Sequence, residues 1–443
     1  MTRLLATVML FTWAAPGLAG AAFPDFGYTP PADWSGPVFQ LSQDYPTTLP
    51  AAETVPWKTI DFKTDPQGYL QAVIDYCLEG NEAVDFVVQD NAVRTWYHAP
   101  WLHWGGNGRE FVRGLTRERS SRPFELAATQ TTTLRNVAVG FYNARGAFTI
   151  GQVWADPDAP AVDHVEFPED TVTFKLLFTA GTAAVVPFLT GAPEWFADIN
   201  RSPDSATIQN TKVRLLQVDI AIRDNRSSCA GWVFGTFQYD SAVAAASPWR
   251  QLRPLTLMWG NDPGLTPAAH AGGQEPVESW VNPAAPVVQY RRSPPAGVTP
   301  PRVMGWAGRG NGPVDNPVSS CLSCHSTAQI PASSGMIPAG TLTDMQKLRW
   351  FRNLAVGESF DTTSKTLDFS LQLGVGIQNH REFLETVENL GGITAASLRA
   401  PKPFLLPTEV PSADWKGKRS QEYRFSRDPD DPMLSQPQVL ERR

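Results

Sequence analysis

Three residues with reactive side chains stand together in the segment SSCLSCHSTAQ, namely Cys321, Cys324 and His325. A helical turn brings residues three and four apart onto one face, so both thiols and the imidazole can point the same way. Two thiols at this spacing can form thioether bonds to the vinyl groups of one haem, and the following histidine can bind the iron as an axial ligand. With 4 Cys and 6 His in 443 residues, chance gives the motif with a probability of roughly 0.0005. The segment therefore predicts one covalently bound haem c.

Two other kinds of site use the same Cys-x-x-Cys spacing. A redox dithiol of the thioredoxin type closes a βαβ unit, but the preceding GWAGRGNGPVDNPVSS is rich in Gly, Pro and Asn and carries no apolar strand. A structural zinc site needs a second pair of ligands, and no cysteine follows Cys324. Haem is favoured over both alternatives.

Asn316 and Pro317 suit a helix cap and a first helical residue, which predicts that the motif helix begins there and that Cys321 lies one turn inside it.

The ligand at the second axial position of the iron indicates which function the haem serves. A strong protein ligand favours electron transfer, whereas an open position permits chemistry at the iron. Met336 is the first candidate because it lies in SSGMIPAG, a Gly/Pro-flanked loop. The ten residues between His325 and Met336 can span about 33 Å, enough to pass around the edge of a haem. The other candidates are Met345 and His380 on predicted helices, then Met304, His98 and His103, and a position with no protein ligand is also open.

The segment WYHAPWLHWGGNGREF gathers His98, His103 and Arg109 among aromatic residues. Such a loop could form a distal pocket, with Arg109 or Arg309 paired to a haem propionate. Aromatic and histidine rings also commonly seal the boundary between packed elements. Nothing in the sequence places this loop beside the iron, so the packing interpretation is favoured.

The N-terminus MTRLLATVMLFTWAAPGLAGAA has a basic residue, a short apolar stretch and small residues suited to cleavage. This pattern predicts a signal peptide over 1–21 and a periplasmic or secreted protein, with no stable membrane span after cleavage. In an oxidising compartment Cys77 and Cys229 could form a disulfide. Two separate buried thiols are an equally good interpretation.

Composition and patterning predict an α+β fold. The chain is 42% hydrophobic and 18% charged, with a net charge of −7, which is typical of a globular protein and argues against nucleic-acid binding. Alternating apolar residues in TVTFKLLFTA and LLQVDIAIRD, with β-rich runs at 134–143, 147–154 and 231–239, predict an antiparallel, sandwich-like domain over 131–260. Helical spacing at 66–89, 343–354 and 377–390 predicts helices. A C-terminal α-helical, cytochrome c-like haem domain is expected over 301–395, because the motif helix and the two later helices could enclose a haem.

The remaining segments complete the predicted organisation. Residues 22–130 form an N-terminal arm and a helical and aromatic-loop region. Residues 261–300 are a connector rich in Pro and Gly, and 396–443 are an extended tail.

The segment GRGNGPVDNPVSSCLSCHSTAQ, with KLRWFRNL, LDFSLQLGVGIQN, RTWYHAPWLHWGGNGREFVRGLTRER and GWVFGTFQYD, resembles a group of exported bacterial mono-haem cytochrome c-type proteins that are largely uncharacterised. The resemblance implies haem c on Cys321, Cys324 and His325 and implies no particular reaction.

Three functions follow from these observations as hypotheses. The first is an exported mono-haem c-type cytochrome that passes single electrons to a redox partner protein. The second is a haem-dependent oxidoreductase of peroxidase type with an open or weakly ligated distal site. The third is a haem-based sensor or binding module.

Overall fold

The computed structural model describes residues 23, 27, 30–103, 109–199, 211–300 and 304–389. The predicted signal peptide at 1–21 and the predicted tail at 396–443 lie outside these residues. The dominant feature of the described part is one nine-stranded antiparallel sheet. Its strands are β1 (Trp96–Tyr97), β2 (Thr116–Ser121), β3 (Leu134–Asn143), β4 (Val172–Thr179), β5 (Glu194–Ala197), β6 (Thr211–Arg223), β7 (Trp232–Tyr239), β8 (Leu252–Met258) and β9 (Ser279–Val281).

The strands are ordered β1-β3-β4-β6-β7-β8-β9, with β2 paired to β3 and β5 paired to β6. A separate two-stranded ribbon pairs β10 (Gln329–Ile330) with β11 (Lys365–Thr366). The helices are α1 (Pro66–Leu78), α2 (Ala144–Val153), α3 (Pro267–Ala271), α4 (Pro286–Arg292), α5 (Cys321–His325), α6 (Asp344–Lys347) and α7 (Leu371–Asn389).

One face of the sheet, here called the α1 face, is apolar. Residues that alternate along the strands turn to the same side, and on this side they form a buried cluster with α1. Helix α1 approaches the sheet closely at Gly235. A Cβ at this position would lie within 2.4 Å of Leu70 Cδ2, so the contact needs a residue without a side chain. The cluster includes Val137, Val139, Phe141, Val172, Phe174, Leu176, Val218, Ile220, Ile222, Val233 and Phe237 from the strands, and Leu70, Val73, Ile74 and Cys77 from α1.

The opposite face, here called the motif face, is covered by α2, α5, α7 and the loops between α5 and α7. A second buried cluster joins sheet residues to these elements. It includes Tyr142, Ala221, Trp232, Phe234 and Met258 from the sheet, and Ile150, Leu322, Phe351, Leu373 and Ile377 from the covering elements. The region after 304 therefore shares its core with the sheet.

Several expectations are confirmed. The sheet is antiparallel, and segments 134–143, 172–178 and 231–239 are strands. Predicted helices at 66–89 and 377–390 correspond to α1, which ends earlier, and α7, which begins earlier. The helix expected at 343–354 is the short α6 followed by a 3-10 turn over Leu348–Phe351.

Other expectations are wrong. Nine of the described strands form one large sheet covered by helices, and β10 and β11 form a separate small ribbon, so the strands do not make a sandwich of two large sheets. Segment 147–154 is helical because Asn143 caps α2, its Oδ1 accepting from Gly146 N at 3.0 Å. The sheet also extends beyond 131–260, since β1 and β2 come from the N-terminal region and β9 from the expected connector. An independent cytochrome c-like domain over 301–395 is not supported, because its described helices pack on the sheet.

Cys77 and Cys229 are both free and buried. Cys77 belongs to the cluster on the α1 face and Cys229 to the cluster on the motif face. The structure thus has two separate buried thiols rather than the disulfide considered above.

Candidate functional site

The motif forms its own short helix, α5, and the local sequence explains where that helix begins. Ser320 is the N-cap: its Oγ accepts from Ser323 N at 3.1 Å, and Ser323 Oγ accepts from Ser320 N at 2.8 Å. This reciprocal pair satisfies two amides that a helix start otherwise leaves free. The prediction that the helix begins at Pro317 is therefore wrong, and Cys321 is the first residue of the helix. Asn316 instead closes the preceding turn, where its Oδ1 accepts from Val318 N.

The two sides of α5 differ in how the protein covers them. Leu322, Ser323 and Ser326 are buried, and Leu322 belongs to the cluster on the motif face. Cys321 and Cys324 are only half-buried and are not bonded to each other, and His325 is half-buried as well. The reactive side chains thus lie on the side that protein atoms leave partly uncovered.

His325 is held by a single well-formed hydrogen bond. Its Nδ1 lies 2.9 Å from the carbonyl oxygen of Phe369, and because a carbonyl can only accept, Nδ1 carries the proton and Nε2 keeps a free lone pair. The ring also packs on Phe234, with centroids 4.5 Å apart. Burial lowers the pKa of His325 to about 4, against the opposing effect of the Phe369 bond. The imidazole is therefore neutral at pH 7, the form that binds a metal.

The backbone that supplies this carbonyl is strained. Asp368 and Phe369 have φ angles of 45° and 66°, the left-handed region that costs residues with a side chain of order 1–3 kcal/mol each. The Asp368 carboxylate holds the turn, since its Oδ2 accepts from Phe167 N at 2.7 Å and its Oδ1 from Trp232 Nε1 at 3.0 Å. A strained turn fixed from both sides is typical of a position that must present one group accurately.

The two motif thiols are not activated. Burial, reinforced by Asp315 and Asp219, raises the pKa of the Cys321 thiol well above its usual value. Burial also raises the pKa of Cys324 to about 12. A catalytic dithiol needs a lowered thiol pKa, so this environment disfavours the thioredoxin-type alternative. Within the described ranges, no group of three or more His, Cys, Asp or Glu is arranged to hold a metal ion.

The candidates for the second axial position lie in different places. Met345 is 70% exposed on α6, and Met304 is buried in a small separate cluster with Leu255 and Val288. His380 lies between aromatic rings, 4.9 Å from Trp101 and 5.5 Å from Trp154 by ring centroids, and neither of its ring nitrogens has a hydrogen-bond partner. Met336 is half-buried in the loop after β10, next to Gly335, whose carbonyl accepts from Trp350 Nε1.

The two arginines considered for the propionates differ. Arg309 is fully buried and donates to four backbone carbonyls, those of Asn261, Asp262, Leu265 and Trp306. These bonds engage its guanidinium in holding loops together. Arg109 is buried near the two loop histidines, where its charge contributes to lowering the pKa of both.

His98 and His103 line a narrow cleft of about 40 Å³ with Glu118, Lys175 and Gln372. Ser42 N donates to His98 Nδ1 at 3.0 Å, which leaves the buried Nε2 without a partner, and the buried Nδ1 of His103 also has none. Burial and then Arg109 lower the pKa of His98 to about 3, so it is neutral. The two loop histidines therefore line the same cleft as Lys175, a residue of the motif face of the sheet.

The sequence analysis missed several residues of this site. Asp368 and Phe369 position His325, and Lys175, Asp219 and Asp315 lie beneath the motif. The sequence did mark Lys175 and Asp219, because each is a charged residue that alternates with apolar residues along a predicted strand and so belongs to the opposite face. Nothing in the sequence indicated that this opposite face is covered.

Comparison of the chain with known protein families, with curated proteins and with solved structures finds no match. Within the described ranges, every helix is too short or too polar to cross a lipid bilayer.

Proposed function

We propose that this protein is an exported mono-haem c-type cytochrome, in which Cys321 and Cys324 attach the haem and His325 binds its iron. The observation that carries the proposal is the partly uncovered side of α5, where both free thiols and the neutral imidazole lie together. His325 Nδ1 is engaged by Phe369, so Nε2 is the nitrogen available for iron. The bound group would supply a one-electron redox centre, and the chain would hold and orient it.

Haem attachment is tested by expression in a host with cytochrome c maturation proteins. The expected product has the mass of the mature chain plus one haem and the absorption spectrum of a haem c. Cys321→Ala and Cys324→Ala should each lose one thioether bond. Cys77→Ala is the matched control, because it removes a buried thiol in the other cluster and should leave the haem in place. Colourless protein with the apo mass would refute the proposal.

Met336 remains our first choice for the second axial ligand, and with it a low-spin, six-coordinate iron suited to electron transfer. Met336→Ala should convert the spectrum to high spin. Met345→Ala is its control, since that side chain is 70% exposed. An unchanged spectrum in Met336→Ala would remove Met336 and direct attention to His380.

A haem-dependent oxidoreductase is a second candidate, and the cleft lined by His98 and His103 favours it. Two buried ring nitrogens without partners are suited to hydrogen-bonding a small substrate. His98→Ala, His103→Ala and Arg109→Ala should then slow peroxide reaction or carbon monoxide binding. Rates equal to those of the wild-type protein in all three variants would exclude this function.

The sensor hypothesis predicts that ligand binding at the iron changes the affinity of this protein for a partner protein.

Export to the periplasm or medium belongs to the same proposal, because haem c is attached outside the cytoplasm. Cell fractionation followed by N-terminal sequencing should find the haem-containing chain outside the cytoplasm and cleaved near residue 21. Full-length haem protein in the cytoplasm would contradict it. The expected partner is a redox partner protein that exchanges single electrons with the haem.

A further inference from the structure

A row of side chains crosses the middle of the motif face. Strand register places Gly140, Lys175, Asp219, Thr236 and Thr256 opposite one another on β3, β4, β6, β7 and β8. Adjacent rows on this face carry apolar residues such as Phe234 and Met258. Charged residues in the centre of a covered sheet are costly unless they are paired, so their presence calls for an explanation.

The charged residues of this row form one network. Lys175 Nζ lies 3.3 Å from Asp219 Oδ2 and 3.7 Å from Glu118 Oε1, with the lysine side chain only 27% exposed. Gln217 Nε2 donates to Asp219 Oδ1 at 2.6 Å and lies 3.4 Å from Asp315 Oδ2, so one amide links two carboxylates. Asp315 also accepts from Gly312 N at 2.9 Å.

The network acts on the motif through its charges. Thr236 Oγ1 donates to Asp219 Oδ1 at 3.0 Å, and the Cys321 thiol donates to Asn311 Oδ1 at 3.9 Å, four residues before Asp315 in the chain. The charges of Lys175 and Asp219 act on His325, and those of Asp315 and Asp219 act on Cys321. Lys175, Asp219 and Asp315 of the network thus act electrostatically on the haem-attachment side chains.

Negative charge is in excess here. Glu118 on β2, Asp219 on β6 and Asp315 before α5 face Lys175 on β4, and the buried Arg291 contributes a second positive charge near Asp315. Arg291 donates to Pro313 O, and Arg119, which is paired with Glu125, donates to Val314 O. Three carboxylates thus face the two cations Lys175 and Arg291, and the adjoining Gln217, Thr236, Cys321 thiol and His325 imidazole are neutral. Burial and then Asp219 raise the pKa of Asp315 to about 6, although Lys175 acts in the opposite direction. A carboxylate in this state can change its protonation near neutral pH.

We propose that the network of Glu118, Lys175, Asp219 and Asp315 takes up a proton when an electron arrives at the motif. The proposal rests on the proposed haem attachment. One electron comes from the redox partner and reduces the iron, and one proton comes from solvent and converts a carboxylate of the Asp219–Asp315 pair to the acid. Arrival of the electron removes one positive charge nearby, which increases the proton affinity of carboxylates already crowded by like charge.

The experiment measures the reduction potential of the haem-loaded protein between pH 5 and pH 8. The potential should fall as pH rises, with a slope approaching about 59 mV per pH unit where one proton accompanies one electron. Asp315→Asn should flatten this slope and leave the haem mass and absorption spectrum unchanged. Asp344→Asn, at an aspartate whose side chain is 48% exposed on α6, is the matched control and should keep the slope.

A second measurement needs no variant. Reduction of the loaded wild-type protein in weakly buffered solution near pH 6 should raise the pH, as reported by an indicator dye. A flat potential with no proton uptake would overturn the proposal while leaving haem attachment intact. If Asp315→Asn and Asp219→Asn both kept the wild-type slope of potential against pH, the proposal would be overturned as well. Absence of haem would instead refute the proposed function, and this inference would fall with it.

Discussion

Phe174 and Lys175 are neighbours in β4, and they show how differently the two faces of the sheet are built. Phe174 stacks on Phe141 with centroids 4.6 Å apart in a purely apolar cluster. Lys175, one residue on, points to the motif face and joins a network of carboxylates. The α1 face provides stability through apolar burial. The motif face gives up part of that burial to place charge beneath the reactive helix.

The comparison predicts the largest loss of stability on the α1 face. Phe174→Ala should lower the free energy of unfolding by about 3–5 kcal/mol, because it leaves a cavity beside Phe141 and Trp96. Urea unfolding followed by tryptophan fluorescence measures this. Phe196→Ala is the control at a phenylalanine that is 53% exposed, and it should cost far less. Equal losses for the two variants would contradict the assignment of this face as the main core.

The turn that positions His325 should give the next largest effect. Asp368→Ala leaves Phe167 N and Trp232 Nε1 without an acceptor in a buried setting, and should cost about 2–4 kcal/mol. Asp368→Asn retains one acceptor oxygen and should cost less. The haem-loaded variant should also show an altered spectrum, since His325 loses its fixed carbonyl. A normal spectrum would mean that the turn does not control the histidine.

Removal of Lys175 tests the charge network on the motif face. Lys175→Met leaves Glu118, Asp219 and Asp315 facing one another, and should destabilise the protein by less than the roughly 3–5 kcal/mol typical of a fully buried broken pair. The loss should be larger at pH 8 than at pH 5, because Asp315 is neutral at the lower pH. Lys212→Met, which breaks a pair whose lysine side chain is 49% exposed, is the matched control. A loss independent of pH would argue against excess negative charge in the network.

The smallest effect is expected at the edge of the sheet, where His98 packs against Phe141. Its pKa is lowered to about 3 by burial and then by Arg109, from 6.5. The stability it contributes is therefore present above pH 6.5 and lost as pH falls toward 3. Between pH 7 and pH 5 this loss should be about 1–2 kcal/mol. His98→Asn retains an acceptor for Ser42 N and should reduce the pH dependence, and an unchanged pH profile would show that His98 titrates normally.

The sheet was the most predictable part of the fold. Alternation in 172–178 and 218–222 depends only on which side chains avoid water, and β4 and β6 follow it. The prediction failed at 147–154 because a single side chain, Asn143, starts a helix there, and Ala147, Ile150 and Val153 at three-residue spacing then become its buried side. Local capping outweighed the β propensity of the segment.

The site was predictable only as far as its local spacing. Cys321, Cys324 and His325 are close in sequence and share a helix side, which the motif alone indicates. Phe369, the partner of His325, lies 44 residues away. Lys175 and Asp219 lie farther still, on strands whose pairing no local pattern specifies. Only the structure showed that the loop histidines His98 and His103 line a cleft together with Lys175 of the motif face.

The sequence by itself therefore determined two local features: the spacing of two thiols and a histidine, and the strands with one apolar side. These depend on side-chain chemistry within a few residues, where geometry is nearly fixed. The tertiary structure alone decided that the polar side of the strands is covered by the motif helix and that three carboxylates meet one lysine there. It did so because strand register and packing bring together residues from distant parts of the chain, and the charges that surround a site depend on those neighbours.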